Sequence, residues 1–176
     1  MKIIKTSFKD LFIYKRETHK DNRGHFRELF IEKFLKIKFP FDMMSLSKKN
    51  VLRGLHLQAK NSQGKLLTVL RGKIFDVAVD CRKKSKTYGK YFSMTLSAKE
   101  NISLYVPKGF AHGFYSLEDN TILNYKCTNY RDPKSEVGIM WNDPELKIRW
   151  PNKKIIISKK DKNNLSFLEY ENKFIK

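Results

Sequence analysis

The chain has no apolar run of 18 residues, so no membrane-crossing helix is expected. Its opening stretch, MKIIKTSFKDLF, is broken by Lys5 and Lys9 before a signal-peptide core can form, and the expectation is a soluble cytoplasmic protein. Cysteine is scarce. Cys81 and Cys127 stand without CxxC spacing or a nearby histidine cluster, which predicts buried reduced thiols and neither a disulfide nor a thiolate metal centre. There is no internal repeat and no low-complexity tract. Acidic residues are outnumbered, 18 against 37 basic ones, giving a net charge of +19. Such an excess raises nucleic acid as a partner. Here it is mostly lysine in scattered groups such as Lys48-Lys49, Lys83-Lys84 and Lys159-Lys160, a solvated coat with no binding stripe. No nucleic-acid partner is expected; the field suits a small ligand that carries phosphate.

What is present reads as β structure. At 176 residues the chain suits one domain, 1–176, able to bury about 70% of its unfolded surface. Short strand signals recur at 66–70, 74–80, 91–97, 102–107, 113–117 and 122–127, divided by turn residues such as Asn101, Pro107, Gly109 and Asp119. LLTVL and IFDVAVD flank Arg71-Gly72 and predict a hairpin. Phe30, Phe34 and Ile37 fall at helical spacing ahead of Pro40 and predict a helix of about two or three turns. Many short strands and few helices predict an all-β sandwich or barrel, double-layered so that strand edges are hidden. The chain past Asp143 is expected to wrap it, ending in a short segment with Phe167, Leu168 and Tyr170.

The polar chemistry concentrates in VLRGLHLQAKNSQGK, residues 51–65. His56 can remove and return a proton near neutrality, Lys65 can stabilise an oxyanion, and Arg53 can grip a phosphate through two donors. Gln58 lies beside them. Arg53 and His56 are an odd number of residues apart, so a regular strand would send them to opposite faces. A kink at Gly54 is needed for both to line one site. A second histidine, His112, sits in PKGFAHGF just before a strand. Two β-motifs, each carrying a histidine, match the build of a cupin jelly roll. The first motif reads His56-Leu57-Gln58 in place of the HxH of metal-binding cupins, so no metal site is expected.

In DNRGHFRE (21–28), SKKNVLRGLHLQ (47–58), QGKL (63–66), FDVAVDCRKKSKTYGKY (75–91), LSAKEN (96–101), VPKGFAHGF (106–114), YKCTNY (125–130), WNDP (141–144) and SKKD (158–161), the chain resembles the dTDP-4-dehydrorhamnose 3,5-epimerases and related enzymes of nucleotide-linked 4-keto sugars. The resemblance implies a cupin-type β-helix with a few short peripheral helices, a homodimer that uses no metal or other cofactor, and a nucleotide-diphosphate 4-keto sugar as substrate. It implies a role in precursor synthesis for a surface glycan such as lipopolysaccharide or capsule.

By the same resemblance His56 is the base, Asp161 the carboxylate that orients it, Lys65 the oxyanion partner and Tyr125 the acid across the ring. Arg53 and Arg23 resemble diphosphate contacts, Arg23 reaching toward a neighbouring subunit, and Glu28 and His112 resemble sugar or supporting contacts. Tyr125 shares a strand face with Leu123 and Cys127, which allows an inward phenol. The chain departs from the pattern at Phe41-Asp42-Met43, where many members have Gln-x-Asn, and at Arg131, where a second Tyr often follows TNY. Nucleotide, sugar length and the choice of C3, C5 or both therefore stay open. A sugar-nucleotide 3,4-ketoisomerase and a non-catalytic sugar-binding cupin are the alternatives, the first opposed by Tyr125 and Lys65, the second by the presence of base, acid and oxyanion group together.

Overall fold

A computed structural model describes residues 1–152 and 154–175. Two antiparallel sheets pack face to face. One runs in the order β1 (Lys2–Lys5), β2 (Phe12–Lys15), β10 (Ile102–Val106), β7 (Lys65–Arg71), β12 (Thr121–Cys127), β5 (Phe41–Ser47). The other runs β13 (Glu136–Gly138), β6 (Leu52–Gln58), β11 (Phe110–Ser116), β8 (Lys73–Asp80), β9 (Tyr91–Ser97). A small ribbon, β3 (His19–Asp21) and β4 (Gly24–Phe26), belongs to neither and is exposed along its length. Among the described residues three short helices, α1 (Glu32–Leu35), α2 (Lys159–Lys162) and α3 (Phe167–Phe174), lie outside the sheets. This is the expected all-β jelly roll, and among the described residues no helix is long and apolar enough to cross a membrane.

Alternation along the strands builds the layers. In β12, Thr121, Leu123, Tyr125 and Cys127 are buried while the residues between them are half-buried, so Tyr125 does face inward. Leu67, Val69, Leu104 and Leu123 of the first sheet meet Ile74, Ala78, Leu96 and Phe114 of the second in one apolar cluster. Each such aliphatic side chain contributes about 1.5–3 kcal/mol by leaving water. A second cluster covers the outer face of the five-stranded sheet, where Phe167 and Tyr170 of α3 pack on Val77, Val79 and Ala111. The chain after Asp143 does wrap the sheets, and its end is held by a capping box, Ser166 with Glu169. Both cysteines are free and buried.

Three local expectations fail, each for a visible reason. The segments around Arg71-Gly72 form no hairpin: β7 pairs with β10 and β12, β8 with β9 and β11, and the turn carries the chain from one sheet to the other. Gly72 has φ +81°, and a Cβ there would collide with Thr121. The helix before Pro40 is only four residues long. Its N-cap Ile31 offers no side-chain acceptor and Lys36 turns left-handed at φ 55°, so Phe30, Ile37 and Phe39 pack from irregular chain onto Tyr14, Leu66 and Tyr105. His112 lies inside β11, not ahead of it. Strands β5 and β13 were not anticipated: FDMMSLS lacks β-branched residues, and EVG is too short to show a period.

Candidate active site

A cavity of about 580 Å³ opens between the sheets, lined by Arg53, His56, Gln58, Lys65, His112, Tyr125 and Asp161. These come from five separate elements. Arg53 and His56 share its wall because β6 carries one residue too many. His56 pairs with His112 and Arg53 with Phe114, so three steps along β6 match two along β11. The surplus is taken up at Gly54, φ +126°, where an added Cβ would meet the Gly113 Cα at 2.5 Å. The kink required by the odd spacing is thus a β-bulge that only glycine can occupy.

Asp161 reaches His56 from the far end of the chain. Ser158 caps α2 by accepting the Asp161 backbone N–H at 3.0 Å, the S-x-x-D spacing of a helix start. That cap aims the carboxylate at the ring: His56 Nε2 and Asp161 Oδ1 are 2.6 Å apart, with the His56 side chain 37% and Asp161 6% exposed. Burial opposes ionisation of Asp161, but the bond to His56, the Gly54 N–H and Ser158 hold its carboxyl below the usual range.

Opposite this pair, Tyr125 is buried and its phenol meets the Ser45 hydroxyl at 3.0 Å. Burial pushes the phenol's pKa up, with Ser45 pulling the other way. Lys65 opens β7, where burial pulls its ammonium's pKa down while Cys127, Glu136 and Asp76 pull it up. Arg53 donates to Ser47 Oγ at 3.1 Å and to the Leu46 carbonyl at 3.0 Å, and it has no carboxylate partner among the described residues. Its charge is therefore left over for an anion. His112 pairs with Asp76 at 2.8 Å, both buried, and Asp76 Oδ1 has no partner among the described residues.

Arg23 and Glu28 are not brought to the cavity. Arg23 sits on the β3–β4 turn, 86% exposed and paired with Asp21 at 2.6 Å, and Glu28 is exposed. Gln58 lines the wall, but its amide is engaged by loop backbone: it donates to the Asn61 carbonyl at 2.8 Å and accepts the Asp132 N–H at 2.9 Å. Among the described residues no three of His, Cys, Asp and Glu gather as metal ligands do.

Sequence reasoning missed Ser45, Ser47, Asp76 and Glu136. The first two could have been found by treating FDMMSLS as a strand, since Met43, Ser45 and Ser47 fall on one face. Asp76 sits between Phe75 and Val77 in IFDVAVD, where an acid flanked by apolar residues signals a buried partner. Glu136 takes Arg131 at 2.7 Å and Lys160 at 3.0 Å at the cavity rim. The bond from Arg131, resisted by burial and helped by Lys160, brings its carboxyl down to about 2.

A family model described as dTDP-4-dehydrorhamnose 3,5-epimerase matches residues 5–169. The dTDP-4-dehydrorhamnose 3,5-epimerase of Methanothermobacter thermautotrophicus is 45% identical over 170 residues, 92% of each chain. The solved dTDP-6-deoxy-D-glucose-3,5-epimerase of Legionella pneumophila, in complex with dTDP-4-keto-L-rhamnose, is 42% identical with a TM-score of 0.89, covering 94% of this chain and 92% of that one. The dTDP-4-dehydrorhamnose 3,5-epimerase of Bacillus anthracis, solved with TDP and PPi bound, is 39% identical with a TM-score of 0.91, covering 94% and 98%.

Proposed function

The chain belongs to the dTDP-4-dehydrorhamnose 3,5-epimerase family, isomerases of a sugar nucleotide, and from that premise we propose that it inverts C3 and C5 of a dTDP-linked 4-keto-6-deoxy sugar through an enolate. The C4 ketone acidifies the C–H bonds at both neighbours. With Nε2–H donated to ionised Asp161, the lone pair of His56 lies on Nδ1, which removes the proton. Asp161 stabilises the imidazolium that forms. Lys65 neutralises the oxygen at C4 as charge grows there, and Tyr125 gives a proton to the opposite face. Arg53, which has no acid partner among the described residues, takes the diphosphate.

The observation that carries this reading is the 2.6 Å His56–Asp161 contact in the same cavity as Lys65 and Tyr125. The enzyme would work in the cytoplasm as a homodimer, with Arg23 on its exposed ribbon completing a neighbour's site, and would supply a precursor for a lipopolysaccharide or capsule. The test is incubation with dTDP-4-keto-6-deoxyglucose in D₂O, with the GDP-linked 4-keto sugar alongside. Deuterium at C3 and C5 with inversion of both centres, in the dTDP compound, is the expected NMR result. Deuterium at neither centre in either compound would contradict it.

A further inference from the structure

Resting on that assignment of Tyr125 as acid, we propose that Ser45 is the relay residue that positions the Tyr125 phenol and returns a proton to it from solvent after each inversion. Each turnover leaves the acid as a phenolate, and a buried phenolate needs a path back to its proton. Tyr125 is 8% exposed, and among the described residues the hydroxyl of Ser45 is its phenol's hydrogen-bond partner. The ring of His112 has its centroid 6.3 Å from that of Tyr125, and its Nε2 is held by Asp76. Arg53 and Asp76 act on the phenol only through their charge, as does Cys127 on its own strand.

The position of Ser45 suits the task. It lies on β5, the edge strand of the six-stranded sheet, half-buried, on the inward face with Met43 and Ser47, and it lines the cavity. Because Ser45 is only half-buried and itself lines the cavity, water in the cavity can reach its hydroxyl. A hydroxyl has one donor and two acceptor positions, so it can hold the phenol and a water together. Ser47, two residues along the same face, holds Arg53 in the same way.

The protons balance. His56 takes one from carbon; the Tyr125 O–H bond breaks as the new C–H bond forms, leaving phenolate. Ser45 then passes its hydroxyl proton to the phenolate while water passes one to Ser45. The hydroxide so formed is neutralised by the proton that the imidazolium releases. No oxidant or reductant takes part.

The experiment compares Ser45→Ala, Ser45→Thr and Tyr125→Phe with the parent, using dTDP-4-keto-6-deoxyglucose in D₂O. NMR reads deuterium exchange and inversion separately at C3 and C5. Ser45→Ala is expected to keep exchange within about twofold while inversion falls about tenfold, part of the 10²–10⁴-fold that a general acid supplies. Ser45→Thr keeps the hydroxyl and is expected to restore inversion. A merely structural serine would lower exchange and inversion together, and that result, or parent-rate inversion in Ser45→Ala, overturns the relay. Failure of Thr to restore inversion overturns it as well. If Tyr125→Phe loses inversion and Ser45→Ala does not, the relay alone has failed; if Tyr125→Phe also inverts at the parent rate, the assignment of Tyr125 has failed with it.

Discussion

Two imidazole–carboxylate pairs each present a ring to the same cavity, and they differ in their access to water. His56–Asp161 joins a ring 37% exposed to a carboxylate 6% exposed, while in His112–Asp76 the figures are 4% and 0%. The open pair has a carboxylate supported by backbone N–H and a helix cap, with a ring that substrate can touch. Among the described residues the closed pair leaves one carboxylate oxygen without a partner, and it bridges β11 to β8 across the sheet. On the proposed mechanism the same two side chains make a base in one place and an interior strut in the other. Solvent access and the bonds behind the carboxylate decide which.

That contrast can be broken first at the rings. His56→Asn is expected to lower turnover by roughly 10²–10⁴-fold or more with the fold intact, while His112→Asn loses stability, about 1–3 kcal/mol, because Asp76 is then left buried without its ring. Steady-state rates and melting curves on both variants check this. Equal loss of rate with unchanged melting would erase the distinction. At the carboxylates the same split is smaller. Asp161→Asn should slow turnover by at least about tenfold through a misoriented ring, whereas Asp76→Asn should show its larger effect in thermal stability.

The smallest expected effect is in acid. Asp161 and Glu136 both have carboxyls held below their ordinary values in the folded state, Glu136 at about 2 against 4.5. A depressed folded pKa gives stability that is complete above the ordinary carboxylate range and is lost as pH falls through the folded value. Unfolding followed from pH 5 down to pH 2 should therefore show an acid limb that Glu136→Gln makes shallower, by less than about 1 kcal/mol since Arg131 and Lys160 are more than half exposed. An unchanged limb would show that the rim ion pairs contribute nothing to folding.

Much of this was legible in the chain because strand alternation is local. Tyr125 was read as inward from the pattern of its own strand, and the spacing of Arg53 and His56 demanded the kink that Gly54 supplies. The partner of His56 was not visible that way: Asp161 lies 105 residues on, in a four-residue helix with no period, and only the motif resemblance pointed to it. The turn at Gly72 misled because a hairpin and a crossing between sheets use the same residues. Ser45 was hidden by two methionines that obscure the strand, and the partner of Asp76, His112, lies 36 residues on. Arg23 was named by motif alone, and it lies on the exposed ribbon, paired with Asp21 and away from the cavity.

On the proposed mechanism proton removal and proton return occur from opposite sides of the sugar, His56 on one and Tyr125 on the other. Tyr125→Phe incubated with the 4-keto sugar nucleotide in D₂O, with C3 and C5 followed by NMR, tests it most directly. Continued deuterium exchange on the histidine's side is expected, with configuration retained and inversion reduced by roughly 10²–10⁴-fold. Exchange and inversion falling in equal proportion, or inversion at the parent rate, would contradict it.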